Sequence, residues 1–144
     1  MENIYIIGAS GFAKEVYSLI VTENMYCVSA FIDVSPTEDL IEIGGLKIPV
    51  LDEIKFLENQ NLYNSNIAIG IGSPQIIKKI FTKYNKYHFP NIISSKSIFG
   101  IDVKLGRGNI ITQNVIFTTN IKIGVGNIFI LWRTVGHDCL TGDF

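Results

Sequence analysis

The chain lacks several features that would identify a partner or a compartment. Its 144 residues carry 12 basic and 13 acidic side chains, a net charge of −1, so nothing in the charge favours nucleic acid or an anionic membrane. No window approaches the roughly 20 apolar residues of a membrane span, and the N-terminus has no secretory-signal pattern. Its two cysteines, Cys27 and Cys139, form neither a metal-binding spacing nor a disulfide framework. We therefore expect a cytoplasmic protein with no metal site, no nucleic-acid partner and no membrane span.

From residue 93 onward, eight of the nine residues at every sixth position are large and apolar, and glycine often follows them. Neither an α-helix, with a period of 3.6, nor a half-buried strand, with a period of 2, selects this pattern. A solenoid with three short strands per coil does, because one side chain of each strand points inward and a small residue follows at the corner. The sequence therefore predicts a parallel β-helix with coils of eighteen residues. The expected inward positions are Ile93, Phe99, Leu105, Ile111, Phe117, Ile123, Phe129, Val135 and Thr141.

The first 90 residues lack this repeat and alternate strand-like runs with helix-like segments. Such alternation predicts a parallel sheet with helices on its faces, a small Rossmann-like α/β unit. Pro90-Asn91 marks the expected boundary, so we predict two domains, residues 1–90 and 91–144. The strand-like runs are residues 4–7, 27–32, 47–50 and 67–71, and the helix-like segments begin near residues 11, 52 and 74.

The chain ends at Phe144, in the middle of a repeat. A solenoid needs a cap over its last apolar layer. We therefore expect a β-helix that is incomplete at its C-terminus. Truncation is the favoured explanation, and an open end covered by another subunit or by disorder is the alternative.

Three loops follow predicted strands at one edge of the sheet. The first, Gly8-Ala9-Ser10-Gly11, can bring backbone N–H groups to a phosphate, although a plain strand–helix turn is an equal alternative. Asp33, after the second run, stands where such folds place an acid that contacts a ribose or a base, and its alternative role is to cap a turn. The third loop is Gly70–Ser73. Their convergence favours the binding of a nucleotide or nucleotide sugar.

A histidine and an aspartate, His137 and Asp138, lie near a predicted corner of the solenoid. An imidazole can take a proton from an attacking amine or hydroxyl, and a neighbouring carboxylate favours the imidazolium that forms. An isolated pair of this kind is more often structural. The other histidine, His88, is interpreted as packing at the domain boundary.

Several segments together resemble a family of bacterial sugar acyltransferases with hexapeptide repeats. They are Gly-Ala-Ser-Gly-Phe-Ala-Lys-Glu-Val at residues 8–16, Phe-Ile-Asp at 31–33, Ala-Ile-Gly-Ile-Gly at 68–72, Gly-His-Asp-Cys at 136–139 and Gly-Asp-Phe at 142–144. The family includes UDP-4-amino-sugar N-acetyltransferases and sialic acid O-acetyltransferases, and the resemblance covers the whole chain in order. It implies a left-handed β-helix, a homotrimer, a UDP-linked amino sugar or related sugar as substrate in the first domain, and acetyl-CoA as co-substrate between subunits.

The resemblance also implies the site residues. The substrate-binding residues are Ser10, Gly11, Phe12, Asp33, Val34 and Gly70; His137 is the general base and Asp138 supports it. Phe12 stands where the family usually has a histidine, and Val34 replaces the second residue of an acidic pair. The family's acetyl-CoA contacts come from later coils, so no residue of this chain is assigned to them.

Three hypotheses follow. The first is an acetyl-CoA-dependent sugar N- or O-acetyltransferase that transfers the acyl group directly, with His137 as general base. The second is a non-catalytic nucleotide-sugar-binding remnant that lacks the acetyl-CoA site. The third, a fragment of an NAD-dependent oxidoreductase, ranks last because it leaves the six-residue repeat unexplained.

Overall fold

The computed structural model describes residues 1–144, which divide into two compact units, residues 1–89 and 90–144. None of the helices is long and apolar enough to cross a membrane.

The first unit is a five-stranded sheet with three α-helices and one short 3-10 helix. In order across the sheet the strands are β3-β4-β2-β1-β5, and β1, β2, β4 and β5 are parallel. The elements are β1 (Asn3–Ile7), α1 (Gly11–Thr22), β2 (Cys27–Asp33), β3 (Leu40–Ile43), β4 (Leu46–Asp52), α2 (Glu53–Glu58), the 3-10 helix (Gln60–Leu62), β5 (Asn66–Ile69) and α3 (Pro74–Lys83). The predicted Rossmann-like arrangement of parallel strands and helices is confirmed.

One strand was not predicted, and it makes the sheet mixed rather than purely parallel. β3 pairs antiparallel with β4, and the two-residue turn Gly44-Gly45 joins them. Both glycines have positive φ, +58° and +78°, the combination that a tight type I′ hairpin turn requires. Gly44-Gly45 between two isoleucine-containing runs is a pattern typical of a β-hairpin, so the sequence did contain a signal for this strand.

α1 and α3 bury their apolar faces in this unit. In α1 the predicted face, Val16, Leu19 and Ile20, is buried, together with Ala13 and Tyr17. Pro74 begins α3, where a missing N–H costs nothing because the first turn has no intrahelical acceptor for it.

The second unit consists of nine short strands that form three parallel sheets. The strands are β6 (Ile92–Ile93), β7 (Ile98–Phe99), β8 (Val103–Leu105), β9 (Ile110–Ile111), β10 (Ile116–Phe117), β11 (Ile121–Ile123), β12 (Ile128–Phe129), β13 (Thr134–Val135) and β14 (Leu140–Thr141). Every third strand belongs to the same sheet, for example β7, β10 and β13. Ile98 pairs with Ile116, which pairs with Thr134, so each coil takes eighteen residues. The predicted β-helix is confirmed.

The repeating apolar side chains form the core of this unit. Ile111 and Phe117 are fully buried, Ile123 is nearly so, and Ile93, Leu105, Phe129 and Val135 pack against them. A second inward position, two residues earlier in the repeat, was not predicted: Val103, Val115 and Ile121 join the same core. The sequence signal for this second position was the alternation of apolar and polar residues within a strand, as in Ile121-Lys122-Ile123.

The corners repeat with the same period as the core. Starting at Asp102, every sixth residue has a positive φ: Asp102, Gly108, Asn114, Asn120, Gly126, Trp132, Asp138 and Phe144. Glycine, asparagine and aspartate tolerate this left-handed conformation, whereas a bulky tryptophan adopts it at a cost. The predominance of these three residue types at the corners therefore has a conformational cause.

Candidate functional site

The first unit contains a cavity of about 360 Å³ at the carboxyl ends of β1 and β2. In a sheet of parallel strands this edge is the usual place for a ligand, because the loops that follow the strands meet there. The cavity is lined by Ala9, Ser10, Lys14, Asp33, Ser35, Pro36, Thr37, Glu38, Ile41 and Val50. Two predicted substrate-binding residues, Ser10 and Asp33, thus lie at one cavity.

The N-terminus of α1 opens toward this cavity with its polar groups available. Ser10 is the N-cap residue, but its side chain makes no capping hydrogen bond, and no acidic residue stands in the first turn. The first N–H groups of a helix have no intrahelical acceptor and carry the positive end of the helix dipole. Lys14 lines the same cavity one turn later and adds a full positive charge. This side of the cavity suits a phosphate group.

Asp33 caps a turn and also lines the cavity. Its Oδ1 accepts a hydrogen bond from the Ser35 N–H at 2.9 Å, so the carboxylate caps a turn. The side chain is only half-buried and it also lines the cavity. The turn therefore holds the carboxylate in a fixed orientation beside the cavity.

The other predicted substrate-binding residues do not line this cavity. Gly11 and Phe12 belong to the first turn of α1, next to Ser10, and Val34 is 73% exposed. Gly70 is buried against α1: a β-carbon added to it would lie 2.6 Å from the Ala13 side chain. The structure thus gives Gly70 a packing role, because it lets α1 approach β5 closely.

Sequence reasoning missed the cationic residue of the cavity and most of the loop after β2. Lys14 had no predicted role and was only part of the segment of residues 8–16 that carries the family resemblance. Its spacing of four residues from Ser10 was the available signal, since such residues share one face of a helix. Ser35, Thr37 and Glu38 carried no signal beyond a turn-like composition.

The second unit places His137 and Asp138 in direct contact. The His137 Nδ1 lies 2.8 Å from the Asp138 Oδ2, and the side chains are 77% and 65% exposed. An ionised carboxylate only accepts hydrogen bonds, so this contact requires a proton on Nδ1. In the neutral imidazole the other nitrogen, Nε2, is then free to accept a proton.

Asp138 is held from two sides. Its backbone lies at a left-handed corner, with φ +57°, and its Oδ1 accepts a hydrogen bond from Asn120 Nδ2 at 2.6 Å, one coil earlier. The hydrogen bond from His137, and secondly that from Asn120, lower the pKa of the Asp138 carboxyl below its ordinary value. The carboxylate that orients the imidazole is therefore ionised at neutral pH.

Comparison with known proteins identifies the family of the chain. Residues 3–84 match the family model described as the PglD N-terminal domain, which is more than half of the chain. The chain belongs to this family. A comparison with curated proteins found no match.

Solved structures with the same fold cover nearly the whole chain. A histidine-to-asparagine variant of perosamine N-acetyltransferase from Caulobacter crescentus, in complex with CoA and GDP-perosamine, is 23% identical with a TM-score of 0.84, and the match covers 99% of this chain and 66% of that one. The acetyltransferase domain of PglB from Neisseria gonorrhoeae FA1090 is 20% identical, with a TM-score of 0.83 and coverages of 99% and 69%. WeeI from Acinetobacter baumannii AYE is 26% identical, with a TM-score of 0.79 and coverages of 99% and 67%. The chain thus spans about two thirds of the length of these structures.

Proposed function

We propose that the chain carries the acceptor site and the general base of an acetyl-CoA-dependent sugar acetyltransferase. The observation that carries the proposal is the contact between His137 and Asp138 in a chain of the PglD N-terminal domain family. Two of the similar structures support the proposal. Perosamine N-acetyltransferase was solved in complex with CoA and GDP-perosamine, and the PglB domain was solved in complex with acetyl coenzyme A.

The cavity of the first unit is the proposed site of the nucleotide. The diphosphate lies at the N-terminus of α1, against Ser10 and Lys14, and Asp33 accepts hydrogen bonds from the nucleoside. The resemblance implies a UDP-linked amino sugar, whereas three of the similar structures contain GDP-perosamine. The proposed acceptor is accordingly an amine, or a hydroxyl, of a nucleoside-diphosphate-linked sugar.

The proposed reaction is a direct transfer. The acceptor nitrogen attacks the thioester carbonyl of acetyl-CoA while His137 Nε2 takes a proton from it. Asp138 keeps the proton on Nδ1 and stabilises the imidazolium that forms. The tetrahedral intermediate then expels the CoA thiolate, which receives the proton from His137, so no covalent enzyme intermediate is needed.

The proposed assembly is a homotrimer, and the proposed compartment is the cytoplasm. Besides the family resemblance, the exposure of His137 supports an assembly, because a second copy can cover the imidazole and exclude water from it. Both cysteines are free and exposed, which suits a reducing compartment.

A second candidate, a nucleotide-sugar-binding protein without catalysis, is favoured by one observation. The cavity lies entirely within the first unit, whereas His137 stands open in the single chain. All residues that line the cavity thus belong to the first unit, and none belongs to the unit that contains His137.

Calorimetry separates the two candidates. The chain is titrated with acetyl-CoA and, separately, with a UDP- or GDP-linked 4-amino sugar. Binding of both supports the transferase, and binding of the sugar nucleotide alone supports the second candidate. Failure of every sugar nucleotide to bind contradicts both. The Lys14→Ala variant should weaken nucleotide binding, whereas Lys47→Ala, which alters an exposed lysine outside the cavity, should not.

A further inference from the structure

The cavity of the first unit has two chemically different sides. Ser10, Lys14 and the start of α1 form the side next to β1, and they suit phosphate. On the other side, the buried side chains of Ile41 on β3 and Val50 on β4 form an apolar floor. β2 separates β4 from β1, so the two sides lie two strand spacings apart, roughly 10 Å. A nucleoside diphosphate has this polarity and reach, with its base over the apolar floor.

Glu38 also lines the cavity, and its exposed carboxylate is uncommitted. It belongs to the loop between β2 and β3, which contributes four consecutive residues, Ser35 to Glu38, to the lining. It makes no hydrogen bond or ion pair within the chain, whereas Asp33 already uses one oxygen to accept the Ser35 N–H. Asp33 ends β2, the strand next to β1, and is therefore closer to the phosphate side, where the ribose lies. By elimination, Glu38 is the carboxylate that contacts the base.

The chemistry of a carboxylate discriminates among the bases. An ionised carboxylate only accepts hydrogen bonds, and two parallel donors satisfy both of its oxygens. Guanine presents such a pair, N1–H beside the 2-amino group. Uracil presents a single N3–H between two carbonyl oxygens, which a carboxylate repels. Adenine and cytosine place an acceptor nitrogen beside their amino group, so they offer no such pair either.

We infer that the chain prefers a guanosine diphosphate sugar to a uridine diphosphate sugar, and that Glu38 is the residue that selects the base. This inference rests on the proposed function, because it names the base of the nucleotide that the cavity binds. It replaces the uridine that the family resemblance implies.

The test compares three nucleotides on the complete chain by calorimetry: GDP, UDP and inosine diphosphate, which differs from GDP only in lacking the 2-amino group. We expect GDP to bind about tenfold or more tightly than UDP, since a bidentate contact to a base is worth a discrimination of about this size or more. Inosine diphosphate, with one of the two donors, should bind more weakly than GDP. Glu38→Gln should weaken GDP binding about tenfold, and it should leave UDP binding unchanged or tighter because the amide no longer repels the uracil carbonyl oxygens.

A matched control is Glu42→Gln, which alters an exposed glutamate of β3 that does not line the cavity. It should change none of the three affinities, and circular dichroism verifies that both variants fold. UDP binding as tight as GDP binding, or an equal loss for both nucleotides in Glu38→Gln, would overturn the base assignment and leave nucleotide binding at the cavity intact. Absence of binding by all three nucleotides would overturn the nucleotide site of the proposed function as well, so the two failures are distinguishable.

Discussion

The side-chain oxygen of Asn109 accepts the backbone N–H of Asn127 at 2.8 Å, one full coil further along the β-helix. Asn91 accepts the N–H of Asn109 in the same way, also at 2.8 Å, so three asparagines eighteen residues apart form a ladder. The Asn109 side-chain amide donates in turn to the Gly124 carbonyl at 3.1 Å. Because Asn109 is fully buried, these bonds have no competition from water, and they fix the register between coils.

Replacing Asn109 by alanine should therefore destabilise the β-helix. The Asn127 N–H and the Gly124 carbonyl lose their partner, and an unsatisfied buried polar group costs about 1–3 kcal/mol. We expect the free energy of unfolding, measured by urea titration, to fall by about 2 kcal/mol or more. The control Asn85→Ala, at an exposed position, should change it by less than about 0.5 kcal/mol. Equal stability of the two variants would show that the ladder does not hold the coils together.

Gly100 and Gly136 occupy the same place in the repeat, two coils apart, but only one of them should tolerate a side chain. A β-carbon on Gly100 would overlap the carbonyl oxygen of Thr118, whereas one on Gly136 meets no atom within 4 Å. Overpacking of this kind typically costs about 1–3 kcal/mol. Gly100→Ala should lower the melting temperature of the chain by several degrees, and Gly136→Ala should leave it nearly unchanged. The reverse order in a thermal melt would contradict the close stacking at Gly100.

Trp132 should be replaceable with a gain in stability. It has φ +59° and is 79% exposed, so it bears the cost of a left-handed backbone while making few contacts. Asn114, one coil earlier, occupies the equivalent corner with a residue that tolerates this conformation. Trp132→Asn should raise the free energy of unfolding by about 1 kcal/mol. A clear loss of stability would mean that the indole makes contacts that outweigh its strain.

The stability of the folded chain should depend on pH through the carboxyl group of Asp138. Its pKa is lowered from 3.8 first by the hydrogen bond from His137 and then by that from Asn120. A depressed carboxyl pKa in the folded state stabilises the chain at pH values above 3.8, and this stabilisation disappears as the pH falls through the lowered value. Carbon NMR of the Asp138 carboxyl should give a midpoint below 3.8. In His137→Ala the midpoint should move upward but stay below 3.8, because Asn120 remains; an unchanged midpoint would contradict the contact with His137.

The β-helix could be predicted from the sequence because one geometric rule repeats there at every sixth residue. Ile111 and Phe117, for example, are buried because they occupy the inward position of this repeat. The second inward position, two residues before the first, was not predicted because it is apolar in only some of the strands, as at Val115 and Ile121. Asparagine occupies this position once in every coil, as at Asn109.

The cavity was harder to predict than the fold. Asp33 could be found because it follows directly after an apolar strand, where a polar residue is conspicuous. Lys14 reaches the cavity through the pitch of α1, and its spacing from Ser10 was the only signal of this. Glu38 reaches it through the path of the loop after β2, which has no sequence signature. The substrate-binding role of Gly70 stays a prediction; the packed structure shows a different reason for the glycine, which is the close approach of Ala13.

The measurement that tests the central claim most directly is the release of CoA thiol when the chain is mixed with acetyl-CoA and a nucleotide-linked 4-amino sugar. The account predicts acceptor-dependent release that falls by roughly a hundredfold or more in His137→Ala, the size expected for loss of a general base. The other histidine of the chain serves as the control, so His88→Ala should retain the full rate. Release that persists undiminished in His137→Ala, or that falls equally in both variants, would contradict the role of His137 as the base.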